Sequence, residues 1–298
     1  MQPRHMLLGV LITATWGFSF VVIRWGLESF PPLLLAALRF AAAAIAIVVL
    51  PKPALPWRWL VFVGMIWFTG QFGFLFVGMR IGMPAGLASV LFQSQAILTV
   101  LLAAGFLGER ISSRHLAGMA VAVAGLATIG ATVTDAAHDI TYAGLACIAA
   151  GATCWAFGNI LVRRSGQVDM LAFVTWLSLI PPLPLAALSV LYDGQSAVWT
   201  SLAHPHLAGL AAVLFLGFVA TTGGFGGWGH LIKLYGAAAV SPFALLVPVF
   251  GASFAWFFLG ETFNATRLTG MALILAGIGI VLWASRRQPA IVPQETAT

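Results

Sequence analysis

Charge is what this sequence has least of. Charged residues make up 7% of its 298 residues, hydrophobic residues make up 61%, and the mean hydropathy is +1.01. A soluble globular chain carries about 25% charged residues, so a water-facing surface cannot be built from this composition. Acids are especially few. The eight of them are Glu28, Glu109, Asp135, Asp139, Asp169, Asp193, Glu261 and Glu295, and each falls at the end of an apolar run, between runs or in the C-terminal tail. None sits at the middle of a run, which excludes both an intramembrane carboxylate relay for protons and an intramembrane acid/base enzyme. The sequence has no HExxH, GxSxG or P-loop pattern, so no catalysis, metal or cofactor is predicted. The pI of about 10.2 comes without a basic stripe over a soluble fold, which argues against nucleic acid. The two cysteines, Cys147 and Cys154, are about two helical turns apart, too far for a disulfide, and read as packing residues.

What the chain has is long apolar runs. They cover residues 6–26, 32–50, 58–78, 84–107, 114–133, 142–163, 169–191, 207–230, 236–259 and 267–285. A span of the hydrocarbon core needs about 20 apolar residues, so the expected fold is an all-α integral membrane protein of ten transmembrane helices. The first run is read as a retained helix, because no small-x-small cleavage site follows it. With the N-terminus in the cytoplasm, Arg4, Lys52, Arg58, Arg110, Arg114, Arg163, Arg164, Lys233, Arg286 and Arg287 fall inside, whereas only Arg80 and Arg267 fall outside. That bias predicts an inner-membrane protein with both termini cytoplasmic.

Two stretches recur. Ala14-Thr15-Trp16-Gly17-Phe18 … Arg24 matches Thr153-Cys154-Trp155-Ala156-Phe157 … Arg163, a shift of 139 (155 − 16). Leu107-Gly108-Glu109, with Gly118-Met119 and Ala124-Gly125, matches Leu259-Gly260-Glu261, with Gly270-Met271 and Ala276-Gly277, a shift of 152 (260 − 108). The second half therefore carries an insertion, which the expected loop 192–206 accommodates. The repeats are drawn as residues 1–134 and 135–285, followed by a disordered tail at 286–298. Five helices per repeat is an odd number, so the second copy starts from the opposite face. Inverted repeats give alternating access around a midplane site.

The paired Trp-Gly and Trp-Ala segments, Leu38-Arg39-Phe40 in helix 2 and the two Leu-Gly-Glu endings resemble the EamA-type transporters of the drug/metabolite transporter superfamily, over residues 6–285. Within that family the similarity is greatest to exporters of aromatic amino acids. The resemblance implies a secondary transporter that exports small amphipathic metabolites. The chain departs from internal symmetry at Arg39, because the corresponding region Ala172-Phe173-Val174 has no arginine.

The expected partners are a small-molecule substrate and the lipid bilayer. The substrate-binding residues are predicted to be Trp16, Phe20, Trp67, Gln71, Ser89, Gln93, Trp155, Asn159, Thr221 and Ser241. The amides and hydroxyls qualify because an unpaired polar group facing lipid costs several kcal/mol. Each must face another helix, as packing glue or as cavity lining. Trp16 shares a helical face with Phe20, as Trp155 does with Asn159. The glycine run around Phe225 allows a close backbone approach or a break, and Pro242 and Pro248 interrupt helix 9. Arg39 has four open roles: reaching the outer interface, bonding a backbone carbonyl, pairing with Glu28, or attracting a carboxylate substrate. Glu109 and Glu261 are expected to accept hydrogen bonds from the free N–H groups of the helix that follows each. His230 is the one histidine near the expected site, with Lys233 a turn away to oppose its charging.

Overall fold

A computed structural model describes residues 1–108, 111–131, 140–166 and 168–286, and all regular structure among them is helical. In chain order the main helices are α1 Pro3–Gly26, α2 Pro32–Val48, α3 Trp57–Arg80, α4 Ala85–Phe106, α5 Ser113–Gly130, α6 Tyr142–Arg164, α7 Met170–Asp193, α8 Leu207–Tyr235, α9 Pro242–Leu259 and α10 Ala265–Arg286. Eight of these are long and apolar enough to cross a membrane; α2 is apolar but shorter, and α5 opens on Arg114 and His115. Helix is the expected answer in lipid, where backbone polar groups must be satisfied within the segment itself. Glu109, Asp135, Asp139 and the tail beyond residue 286 lie outside the described residues.

Two departures from the sequence reading have local causes. α7 is not one straight rod: Met170–Leu177 and Pro182–Asp193 are separated by a turn at Pro181-Pro182, where a missing N–H interrupts the ladder. The expected loop 192–206 contains a short helix, Gln195–Ala203, which begins after Gly194 takes φ +88°. It exposes Trp199, as interfacial helices do.

Packing follows the small residues. α5 and α10 lie along each other, with backbones so close that a Cβ on Gly118 would stand 2.7 Å from the Gly277 carbonyl, and one on Gly125 2.6 Å from that of Gly270. Glycine at both positions is what allows this approach. α1 runs against α4, α8 and α9, α6 packs on α3 and α4, and α2 sits between α7 and α8. Cys147 and Cys154 are free thiols on α6.

Several irregularities fall in matching places. α3 widens to π register at Gly64–Gly70 and α8 does so at Phe215–Gly223, with Thr69 and Thr221 separated by 152 residues (221 − 69). α4 tightens to a 3-10 turn at Phe92–Ser94, and α9 opens on a 3-10 turn at Ser241–Leu245. α4 stops at Gly108 (φ 70°, ψ 19°), and α9 stops at Gly260 (φ 65°, ψ 19°). The left-handed cap at both positions is a conformation that glycine adopts without steric penalty.

Glu261 corrects an expectation. It does not cap α10, which follows it. Its Oε1 accepts from the N–H of Ala85 (2.6 Å) and its Oε2 from the N–H of Gly86 (2.9 Å), at the start of α4, some 175 residues earlier. Asn264 takes the local position, accepting from Arg267 N through Oδ1 (2.8 Å). The first turn of α4 has free N–H groups because the first N–H groups of any helix lack a partner within it, the Pro84 N-cap offers no side-chain acceptor, and a carboxylate on the tip between α9 and α10 reaches them. Burial pushes the Glu261 carboxyl above its ordinary value, against the pull of the two backbone N–H groups and of Arg24 and Arg267.

Candidate functional site

Aromatic rings from α1, α3, α4, α6 and α8 meet at one place. Phe225 is the hub, with ring centroids 5.4 Å from Trp16, 5.8 Å from Trp67, 6.1 Å from Phe68 and 6.0 Å from Trp155. Trp67 also meets Trp155 at 5.8 Å, Phe92 meets Trp155 at 6.1 Å, and Trp16 meets Trp228 at 5.2 Å. Two glycines make the seats: a Cβ on Gly158 would collide with the Trp67 ring, and one on Gly224 with the Trp16 ring. Most of these pairs are tilted or edge-on, the favoured arrangement for ring quadrupoles. At these spacings the rings fill the space between them, so the site is closed as it stands. Of two depressions elsewhere, one (about 320 Å³) lies between Glu28, Arg80 and Asp193, and the other (about 490 Å³) between Trp256 and Phe263 of the α9–α10 region; neither is lined by the ring cluster.

The polar groups divide into satisfied and unsatisfied. Trp16 donates through Nε1 to the Ala220 carbonyl (3.0 Å). Gln93 donates through Nε2 to the Ala244 carbonyl (2.9 Å), joining one 3-10 turn to the other. Asn159 donates through Nδ2 to Thr99 Oγ1 (3.1 Å) and Gln95 Oε1 (3.4 Å), one turn from Trp155. Ser89 donates to the Gly86 carbonyl of its own helix (2.7 Å) and packs on Gly251, so its hydroxyl serves the α4–α9 contact. Thr221 donates to the Leu216 carbonyl (2.7 Å). By contrast, Trp67 Nε1 and Gln71 Oε1 are buried without a partner. The first is a donor and the second an acceptor; they lie four residues apart on α3, and their side chains are 2% and 1% exposed. A buried polar atom with no partner carries its full desolvation penalty, typically 1–3 kcal/mol.

Of the ten residues singled out from sequence, Trp16, Trp67 and Trp155 join the ring cluster. Gln71, Asn159 and Thr221 lie within a turn or so of cluster residues along α3, α6 and α8. Phe20 is buried one turn beyond Trp16 and makes none of these ring contacts among the described residues. Ser89 and Gln93 serve the α4–α9 side. Ser241 lies in the 3-10 turn that opens α9, and its side chain is outside the described residues. Phe225 was missed as the hub; the glycines around it were the available signal. His230 is exposed beside His5, with ring centroids 6.0 Å apart, five residues beyond Phe225. Arg39 neither reaches the outer interface nor pairs with Glu28. It is 3% exposed and donates through Nη2 to Thr221 Oγ1 (2.6 Å) and the Leu216 carbonyl (3.4 Å).

Among the described residues no group of His, Cys, Asp or Glu side chains could hold a metal ion. The chain belongs to the EamA-like transporter family, which matches residues 4–131 and 142–283. It is a multi-pass membrane protein of a family of transporters, not enzymes. It is 38% identical over 96% of its length to a probable amino-acid metabolite efflux pump of Salmonella typhimurium, covering 97% of that protein. The corresponding Escherichia coli protein is 35% identical, with 98% of this chain and 99% of that one aligned. A probable terminal-alkyne amino-acid exporter of Streptantibioticus cattleyicolor is 30% identical over 95% and 96%. A solved crystal structure shares the fold with a TM-score of 0.64 at 21% identity, covering 96% of this chain and 99% of that one.

Proposed function

We propose that this protein is a secondary transporter of the inner membrane that exports small amphipathic metabolites, aromatic amino acids foremost. It uses ten transmembrane helices in two inverted repeats, residues 1–134 and 135–285, with both termini cytoplasmic. The observation that carries this reading is the closed ring cluster drawn from both halves, beside a donor and an acceptor that lack partners. An aromatic side chain fits between such rings, and an α-amino acid brings a carboxylate for Trp67 Nε1 and an ammonium group for Gln71 Oε1. The relatives' names, amino-acid metabolite efflux and amino-acid export, agree with this class. The matching π turns, glycine caps and 3-10 turns support the repeat. Single cysteines at positions 138 and 287, in a cysteine-free background, label from outside and inside respectively if the topology holds; opposite labelling overturns it.

Substrate reaches the rings only when the halves separate on one side. Under this topology three contacts close the two faces. On the outer face Glu261 holds the start of α4. On the inner face the His5 ring shares a 2.7 Å hydrogen bond with the Tyr235 hydroxyl, and Trp59 donates to Ser165 Oγ (2.7 Å). With no carboxylate at the rings, movement runs down the substrate's own gradient. The test is counterflow of labelled phenylalanine, tyrosine and tryptophan in proteoliposomes holding only this protein, with and without an imposed pH difference. Counterflow that needs no pH difference supports the reading. Uphill accumulation driven by the pH difference overturns the coupling, and preference for bulky non-amino-acid compounds favours a broad drug or lipid exporter of the same fold.

A further inference from the structure

The contacts of Arg39 concentrate on one irregular turn. Among the described residues its guanidinium makes no ion pair; it lies instead against the rings of Phe72 (4.2 Å to the centroid), Phe40 (5.1 Å) and Phe76 (5.8 Å). From there Nη2 donates to the Thr221 hydroxyl and, more weakly, to the Leu216 carbonyl, and Thr221 donates onward to that same carbonyl. Leu216 and Thr221 are five residues apart, the pairing of a π turn. Thr222 repeats it one residue on, donating to the Gly217 carbonyl (3.3 Å). In α register the carbonyl of residue 216 would pair with residue 220. Thr221 would then swing by about 100° around the axis, away from both partners. The cation therefore closes a chain of hydrogen bonds that exists in only one register of α8.

The matching turn of α3 has no such closure. Thr69 donates only to the Met65 sulfur, at 3.8 Å, and this turn carries Trp67 and leads into Gln71, each with a buried polar atom that has no partner; on the α8 side Arg39 Nε is likewise unpartnered, but its Nη2 is held. We infer that Arg39 is a positioning residue that holds α8 in π register. Phe225 and Trp228, just beyond the held turn, then form the fixed wall of the ring site, and the unpinned turn of α3 forms the wall that shifts. The structural part stands by itself; its consequence for transport rests on the function proposed above.

Hydrogen–deuterium exchange of the purified protein, read by mass spectrometry in peptides spanning 215–223 and 64–70, tests the inference without any substrate. In the wild type the 64–70 amides exchange faster. Arg39→Gln raises exchange at 215–223 about tenfold or more, the scale of losing one hydrogen bond to a charged group, and leaves 64–70 unchanged. Arg39→Lys restores part of the protection. Thr221→Val removes the acceptor, keeps a similar shape, reproduces the effect and carries the test if Arg39→Gln fails to fold. In proteoliposomes the same variants raise KM for a labelled aromatic amino acid about tenfold with Vmax within about twofold. A uniform rise of exchange along the whole chain makes Arg39 a general packing residue and overturns the inference. So does an unchanged 215–223 segment accompanied by a raised KM, which makes Arg39 a direct substrate contact. Absence of aromatic amino acid transport, with the exchange pattern intact, overturns the proposed substrate and leaves the positioning role standing.

Discussion

α3 and α8 carry the same interruption at matching places, yet the two are secured differently. Both widen to π register around a buried threonine. On α8 that threonine belongs to a hydrogen-bonded chain ending in a buried cation. On α3 its hydroxyl finds only a thioether, and the polar atoms nearby have no partner at all. A π turn adds a residue to the helical turn and unsettles the ladder, which is why such turns recur at functional sites. Under the repeat proposed above, the difference is an asymmetry between its two copies: one turn has an internal partner in Arg39, and the other stands beside polar atoms that the proposed substrate would meet.

The sharpest way to break that comparison is to remove both threonine hydroxyls separately. Thr221→Val leaves the Arg39 guanidinium without its best acceptor and is expected to destabilise the purified protein by about 2–3 kcal/mol. Thr69→Val is expected to cost less than about 1 kcal/mol, because a 3.8 Å contact to sulfur is all it loses. Thermal unfolding in detergent measures both, and equal losses erase the distinction. Next in size is Gln71→Ala. Its Oε1 has no hydrogen bond to lose, so the loss of stability is only that of emptying a buried site, about 1–2 kcal/mol, while counterflow falls about tenfold. Gln93→Ala, by comparison, loses its bond to the Ala244 carbonyl and about 1 kcal/mol of stability. If Gln71→Ala transports normally, the polar half of the site is elsewhere.

A smaller effect distinguishes the outer contact. The Glu261 carboxyl titrates above its ordinary value of 4.5 because burial disfavours the anion. The folded protein therefore binds this proton more tightly than the unfolded chain does. The group's contribution to stability is full below about 4.5 and is lost as pH rises through the raised folded value. The stability of wild type relative to Glu261→Gln is thus expected to fall with rising pH across that window; a rise, or no change, contradicts the burial assigned to Glu261. The smallest expected effect tests where the two halves remain alike. Gly108→Ala and Gly260→Ala each place a Cβ at positive φ, at a cost of about 1 kcal/mol, and the two losses should match.

Much of this protein was readable from composition and spacing. Helices were dictated by long apolar runs, because a chain in lipid must satisfy its own backbone. The placement of every acid outside the middle of an apolar run leaves no sequence candidate for a carboxylate relay, and the shift of 152 residues relates the two π turns as well as the two Leu-Gly-Glu endings. The conspicuous polar and aromatic residues were also legible as a set, because each is costly against lipid unless something covers it. Their partners were not legible. Sequence alone placed Glu261 on the neighbouring helix, since local capping is the short-range expectation, but only the fold brings the start of α4 within its reach. Nor could spacing show that Arg39 ends on Thr221, or that Phe225 rather than Phe20 is where the rings converge. Periodicity says which face of a helix a side chain occupies; which helix that face meets depends on the packing of the whole bundle, and that is decided in three dimensions.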